Sequence, residues 1–331
     1  MKELSLTCAQ VLELFENAHT VAICGHVNPD GDALGSSLAL ADLLRKTGHS
    51  VTCLLAQDTV PPQLYAFLED YRFVPATEYV ESPDLFIAVD SPALSRLGMA
   101  ESAFKRAKVT LVIDHHPDYD GYGDFYHGSV SSSATGLLVW NLIKESSVEI
   151  TRYPAECCYV ALMTDTGRFA FQNTHAEAFL AAAQMVEVGI SPSEISSLVY
   201  QNKSISAVML ESRLIARMRF SENGQVAYSW ITEQDFNELG LSRDDTEGLP
   251  DILRAIKGVE IAVLLRAEGD SVRVNLRAKN QCDVGSIARR LGGGGHAAAA
   301  GFTLNSDINE VLEKILTIMD GLECINPHVV N

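Results

Sequence analysis

Aspartate and histidine recur in this chain at the ends of short apolar runs, a placement suited to divalent-metal chemistry. The first run, VAICGHVNPDGDALGSS from Val21 to Ser37, carries His26, Asp30 and Asp32. LFIAVD ends at Asp90, VTLVIDHH ends in Asp114, His115 and His116, and YVALMTDTG carries Asp165. A carboxylate at the edge of a buried run is costly unless it is paired, hydrogen-bonded or bound to metal. Asp30, Asp32, Asp90 and Asp165 supply a charge of about −4, which balances two divalent cations. Imidazole and carboxylate together suit manganese, cobalt, iron or zinc, whereas all-oxygen sets suit magnesium or calcium better. Two such ions about 3.5–4 Å apart can hold a phosphoryl oxygen and an attacking hydroxide. The chemistry would be hydrolysis of a phosphate ester.

Each motif has a plainer reading by itself. Asp32 could cap a helix and Pro29–Asp30 could form an ordinary turn. A calcium loop is excluded, because Leu34 and Ala41 fall where that loop needs ligands. The number of such residues at strand ends is what argues for a shared site.

The elements that position them follow from the pattern. VAICG, VTCLL, LFIAVD and VTLVIDHH are short apolar runs bounded by turn residues and predict buried strands. DALGSSLALADLLRKTG, SSATGLLVWNLIKE and AECCYVALMTD predict helices, with a further helix-compatible stretch at 95–107. This alternation predicts an α/β fold, a doubly wound parallel sheet covered on both faces. In open α/β sheets, ligands bind beyond the carboxyl ends of the strands.

From about Phe220 the pattern changes. QVAYSWI alternates as a strand, and VEIAVLLRAEGDSVRVNLRAK predicts a hairpin. DVGSIARRL and DINEVLEKILTIMDGL predict helices around the loop GGGGH. The sequence thus predicts a metal-binding domain at 1–185, a helical connector at 186–219 and a smaller α/β domain at 220–331.

The bulk properties narrow the partners. The formal net charge is −18, from 43 acidic and 25 basic residues. Affinity for long nucleic acid rests largely on phosphate neutralisation, so long duplexes are excluded as partners. A small anion in a local pocket is not. Seven scattered cysteines without a C-x-x-C pair predict reduced thiols and a cytoplasmic protein. No uncharged apolar stretch of about 18 residues occurs, so no membrane span is expected. The N-terminus, MKELSLTCAQVLELF, reads as an amphipathic helix rather than a signal peptide.

H-V-N-P-D-G-D at 26–32, Asp90, D-H-H at 114–116 and T-D-T-G at 164–167 resemble the four motifs of the DHH phosphoesterases. G-G-G-G-H-A-A-A-A-G-F at 292–302 resembles their companion domain, called DHHA1. The length is similar to that of the bacterial nanoRNase/pAp-phosphatase branch. The resemblance implies that His26, Asp30 and Asp90 bind one metal ion. It implies that Asp32, Asp90, His115 and Asp165 bind a second, with Asp90 bridging. Manganese is the ion implied, with magnesium or cobalt as substitutes. His116 would contact the substrate phosphate or leaving oxygen, and Asp114 would orient a histidine. Gly293, Gly294, Gly295 and His296 would approach an anion, and Arg277 would clamp a phosphate. The family pattern S-L-R-S is here Asn275-Leu276-Arg277-Ala278. Arg289 is a weaker candidate, equally readable as a solvated helix residue.

The implied substrates are short oligoribonucleotides, pAp and related small nucleotides, enclosed as the connector lets the domains close. A homodimer stays open. Rival readings are a cyclic-di-AMP or pApA phosphodiesterase and, in a different class, a non-catalytic nucleotide sensor. A DHH pyrophosphatase is disfavoured because its S-R-K-K-Q signature is missing. A RecJ-like exonuclease is disfavoured because the chain has no room for an added OB-type domain.

Overall fold

The computed structural model describes residues 5–58, 68, 72–241, 248–280 and 282–325. The chain divides into two compact units, Met1–Asn202 and Lys203–Asn331. The stretch 186–219, read from sequence as a connector, is shared between them.

The first unit contains α1 (Cys8–Glu16), β1 (Thr20–Cys24), α2 (Gly31–Lys46), β2 (Ser50–Leu55) and β3 (Val74–Pro75). It continues with β4 (Leu85–Val89), α3 (Glu101–Arg106), β5 (Val109–Asp114), β6 (Phe125–Gly128) and α4 (Thr135–Glu145). Helices α5 (Arg152–Asp165), α6 (Ala176–Glu187) and α7 (Pro192–Tyr200) complete it. Residues 1–4 of the predicted N-terminal helix lie outside the described residues. Within α1, Thr7 and Gln10 form a reciprocal capping box.

The sheet order is β3-β2-β1-β4-β5-β6, with every pairing parallel. Alternate residues of one strand serve different cores. Val21, Ile23, Ile87 and Ile113 pack toward α2, α4 and α5. Ala22, Cys24, Phe86 and Val112 face the side that carries Leu97, Ala100 and Phe104. Burial on both faces is why these strands read as continuous apolar runs. The chain runs outward from β1 to β2 and β3, then returns to build β4, β5 and β6 on the other side. The order therefore reverses between β1 and β4, and ligands favour such a switch point.

The second unit contains α8 (Ile205–Arg217), β7 (Arg219–Phe220), β8 (Val226–Ile231), α9 (Glu233–Leu239), α10 (Leu249–Arg254) and β9 (Ile261–Glu268). It ends with β10 (Ser271–Ala278), α11 (Val284–Arg290), β11 (Gly294–Gly295), β12 (Ala299–Leu304) and α12 (Ile308–Asp320). Its sheet runs β11-β12-β10-β9-β8-β7 and is antiparallel except for β8–β9. The predicted hairpin is β9–β10, turning at Gly269, whose φ of 62° suits glycine. One sheet face packs on α11 and α12, the other on α8, α9 and α10. Asp235 at the start of α9 accepts from Arg213, Arg217 and Thr232, an arrangement that pins α8 to α9.

The cysteine expectation needs correction. Cys282 and Cys324 form a disulfide across a separation of 42 residues, with Cα atoms 5.4 Å apart. The fold of α12 back over the sheet brings them together, and sequence spacing carries no trace of that. The other five, Cys8, Cys24, Cys53, Cys157 and Cys158, take part in no disulfide. Among the described residues no helix is long and apolar enough to cross a membrane.

Candidate metal centre

Beyond the carboxyl ends of β1, β4 and β5 the chain delivers its acids and imidazoles to one place. Asp30 caps α2, accepting from the backbone N–H groups of Asp32 and Ala33. Asp32, the residue open to the capping role from sequence, lies inside the first turn instead. Its carboxylate reaches the start of α4, where the N–H groups of Thr135 and Gly136 donate to it at 2.7 and 2.8 Å. Orphan N–H groups at a helix N-terminus favour a negative charge.

Asp90 ends β4 in the left-handed region, φ 54°, which costs a non-glycine residue about 1 kcal/mol. Its N–H bonds to Ile113 O of β5, and Thr135 Oγ1 donates to its carboxylate at 3.2 Å. The carboxylate lies between three imidazoles. His26 Nε2 is 3.4 Å away, His115 Nε2 3.6 Å and His116 Nδ1 3.6 Å.

The histidines are oriented from behind. His26 Nδ1 is 2.8 Å from Val27 O, and His115 Nδ1 is 3.2 Å from Ser132 O. With both carbonyls as acceptors, each Nδ1 carries a proton and each Nε2 turns to the carboxylates; once Nε2 gives up any proton of its own, this is the tautomer a metal ligand needs. His115 Nε2 stands 3.8 Å from Asp32 Oδ2 and 3.7 Å from Asp165 Oδ2. His26 Nε2 is 3.8 Å from Asp30 Oδ1, a half-exposed carboxylate at the rim. His116 Nδ1 bonds to the fully buried Asp114 at 2.8 Å, and the second oxygen of Asp114 has no hydrogen-bond partner among the described residues.

Asp165 is placed by a helix, as AECCYVALMTD predicts. It ends α5, and Asn173 Nδ2 donates to its side chain at 3.1 Å. Helix α5 approaches α2 closely because Gly35 faces the Cys157 carbonyl; a Cβ there would come within 2.4 Å of that oxygen.

Among the described residues three groups of possible ligands share Asp90: His26, Asp30 and Asp90; Asp32, Asp90 and His115; and Asp90, Asp114 and His116, each with ligand atoms within 4.8 Å of one another. The electrostatics fit a cationic occupant. Burial pushes the Asp32 carboxyl well above its ordinary range, reinforced by Asp90, Asp165 and Asp30. Burial likewise raises Asp165 to about 6, although His115 opposes it. Burial disfavours ionised Asp90 too, yet the His26 hydrogen bond and the three imidazoles hold it well below the carboxylate range. Burial would lower His116, but Asp114, Asp90 and Asp165 raise it to about 9. Buried carboxylates this crowded repel one another, and divalent cations relieve that repulsion.

Sequence reasoning missed several supporting groups. Thr135, Gly136, Ser132 and Asn173 hold the ligands in place, and nothing in their spacing marks them. Arg96 is half-buried six residues after Asp90. Burial lowers its guanidinium, while Asp90, Asp30 and Asp118 oppose that. A lone basic residue after a strand-terminal aspartate was its one sequence signal.

In the second unit, Arg277 lies on β10 opposite Ala299 of β12. Part of the glycine run, read from sequence as a loop, is paired as a strand. Gly294 and Gly295 form β11 against Gly301 and Ala300. A Cβ on Gly293 would lie 2.1 Å from Gly301 O, whereas one on Gly294 would meet open space. His296 follows in a tight turn, its N–H bonded to Ala299 O. Arg289 is exposed and donates to Gly295 O at 3.2 Å, so it braces the glycine strand.

A parallel sheet with acids and imidazoles at its switch point, followed by a glycine-edged mixed sheet, defines a two-unit protein of the DHH class. Residues 20–162 match the DHH family, N-terminal domain, and residues 223–321 match the DHHA1 domain. The chain belongs to the DHH/DHHA1 phosphoesterase family. It is 29% identical to the bifunctional oligoribonuclease and PAP phosphatase NrnA of Thermus thermophilus, over 93% of this chain and 91% of that enzyme. The Bacillus subtilis enzyme of the same name is also 29% identical, over 90% of this chain and 94% of that one. An exopolyphosphatase-related protein from Bacteroides fragilis shares the fold with a TM-score of 0.87 at 24% identity, covering 95% of each chain.

Proposed function

We propose that this protein is a two-metal phosphoesterase. It degrades very short RNA oligomers to 5′-mononucleotides and removes the 3′-phosphate of pAp, in the cytoplasm. The observation that carries this reading is that the groups His26–Asp30–Asp90 and Asp32–Asp90–His115 meet at Asp90, in a chain whose NrnA relatives are bifunctional oligoribonucleases and PAP phosphatases.

His26, Asp30 and Asp90 would hold one ion, and Asp32, Asp90, His115 and Asp165 the other. The mixed imidazole and carboxylate donors suit manganese, with magnesium or cobalt as substitutes. When bound, such ions polarise a phosphoryl oxygen and generate hydroxide from water near neutral pH. The chain's own contribution is to fix the donors and to handle the substrate's charge. His116, held through Nδ1 by Asp114, presents Nε2 to the phosphate or to the departing oxygen. Arg277 and the Gly293–Gly295 edge supply the second unit's anion-binding groups. The acidic surface offers no basic track for a long strand, so substrates are short.

The test is a dinucleotide RNA and pAp incubated with the protein and manganese, with products separated by chromatography and metal content measured. Mononucleotide and phosphate release, with about two equivalents of metal, is expected. Asp90→Ala should retain the fold and lose about a thousandfold in turnover. No release from either substrate, or near-native turnover by Asp90→Ala, rejects the reading.

A further inference from the structure

The second unit has a cavity of about 400 Å³ lined by Arg219, Tyr228, Trp230, Ile308, Asn309 and Leu312. It falls in the size range of small-molecule pockets, about 300–1,000 Å³. Its place in the fold separates it from Arg277. Tyr228 and Trp230 lie two apart on β8 and share a sheet face, packing toward the α12 side. Arg219 pairs directly with Tyr228 across the outermost strand pair, so its side chain emerges on that same face. Arg277 pairs with Ala262, which in turn pairs with Ala227, and Ala227 and Ala262 pack toward α8 and α10. Arg277 and Trp230 therefore occupy opposite faces of one sheet.

The charge at this cavity is available. Three arginines cluster at the end of α8 and the start of β7. Arg213 and Arg217 are engaged by Asp235, and Arg213 also by Glu238. Arg219 is exposed, and its guanidinium donates to the carbonyls of Arg217 and Met218, with no carboxylate partner among the described residues. Neither the Tyr228 hydroxyl nor the Trp230 indole N–H has a hydrogen-bond partner among the described residues. In a chain of net charge −18, an arginine without an acid beside two aromatic rings is a local exception.

From this geometry we propose that the cavity is a nucleotide-binding site distinct from the metal centre and from the Arg277 face. A nucleobase stacks on Trp230 or Tyr228, and Arg219 forks the phosphate. Aromatic rings accept any base face, and arginine binds phosphate oxygens in pairs. The ligand class is a mononucleotide or the end of a short oligonucleotide. The site does not require the proposed catalytic activity, so either can fail without the other.

The chain has two tryptophans, and the other, Trp140, is buried in the first unit with its indole bonded to Gln184. Fluorotryptophan labelling of the intact protein therefore gives two resonances, assigned with Trp230→Phe. AMP in manganese-free buffer should shift the Trp230 resonance saturably and leave Trp140 in place. Arg219→Ala should weaken that titration about tenfold or more, adenosine should bind correspondingly worse, and Arg277→Ala should leave it intact. A Trp230 signal unmoved by millimolar AMP overturns the site. So does a response that survives Arg219→Ala but is lost in Arg277→Ala, or one that adenosine reproduces at equal affinity.

Discussion

Asp90 concentrates several demands in one residue. It ends a buried strand, adopts a left-handed backbone and sits within 3.6 Å of three imidazoles. Asp114 tests whether the site depends on orientation as well as ligation. It lies behind His116, is fully buried and is hydrogen-bonded to His116 Nδ1. Asp114→Asn keeps the shape and removes the charge that fixes the His116 proton. Turnover on a dinucleotide should fall about 10–100-fold with manganese content unchanged; an unaltered rate would show that His116 needs no such support. The glycine edge separates packing from binding in the same way. Gly293→Ala forces a Cβ against Gly301 O and should destabilise the second unit by more than about 1 kcal/mol in denaturant titration. Gly294→Ala meets open space, so its expected effect is a raised KM with stability preserved.

At the scale of elements, the metal centre depends on helix spacing that no ligand reveals. Asp32 is on α2 and Asp165 ends α5, and the two helices approach where Gly35 meets the Cys157 carbonyl. Gly35→Ala would push them apart by a few tenths of an ångström or more, because backbone lies on the other side. The expected result is weaker manganese binding, about tenfold, although no ligand is altered. Isothermal titration would measure it, and native affinity would show that the helices can shift without moving the carboxylates. This is where the sequence was least legible. The strands β1, β4 and β5 could be read because burial on both faces makes them unbroken apolar runs, and the motifs at their ends could be read with them. Asp165 was legible as the end of the predicted helix AECCYVALMTD, and it closes α5, whose buried residues run nearly all the way round; what the sequence did not show is how closely that helix packs. The backbone donors of Thr135 and Gly136 were invisible as well: a main-chain N–H has no residue type to recognise.

The whole molecule carries its two stabilising devices in different units. The proposed metal ligands His26, Asp30, Asp32, Asp90, His115 and Asp165 lie in Met1–Asn202, and the Cys282–Cys324 disulfide lies in Lys203–Asn331. Each unit also closes its own apolar cores, two in the first and two in the second. Separate cores predict separate responses to ligands that act on one unit. Manganese held at the proposed centre would favour the folded first unit over its unfolded chain, so a concentration about 100 times its Kd should add about 2.7 kcal/mol to that unit alone. Reduction acts on the other. A disulfide spanning 42 residues restricts the unfolded second unit, and its loss should remove about 4 kcal/mol there. Scanning calorimetry should therefore resolve two transitions, one raised by manganese and lowered by chelator, the other lowered by reductant or by Cys324→Ser. A single transition that responds equally to both treatments would mean that the units unfold as one cooperative body. The separation matters for reading every variant above, because a loss of activity can then be assigned to the metal centre or to the second unit by which transition has moved.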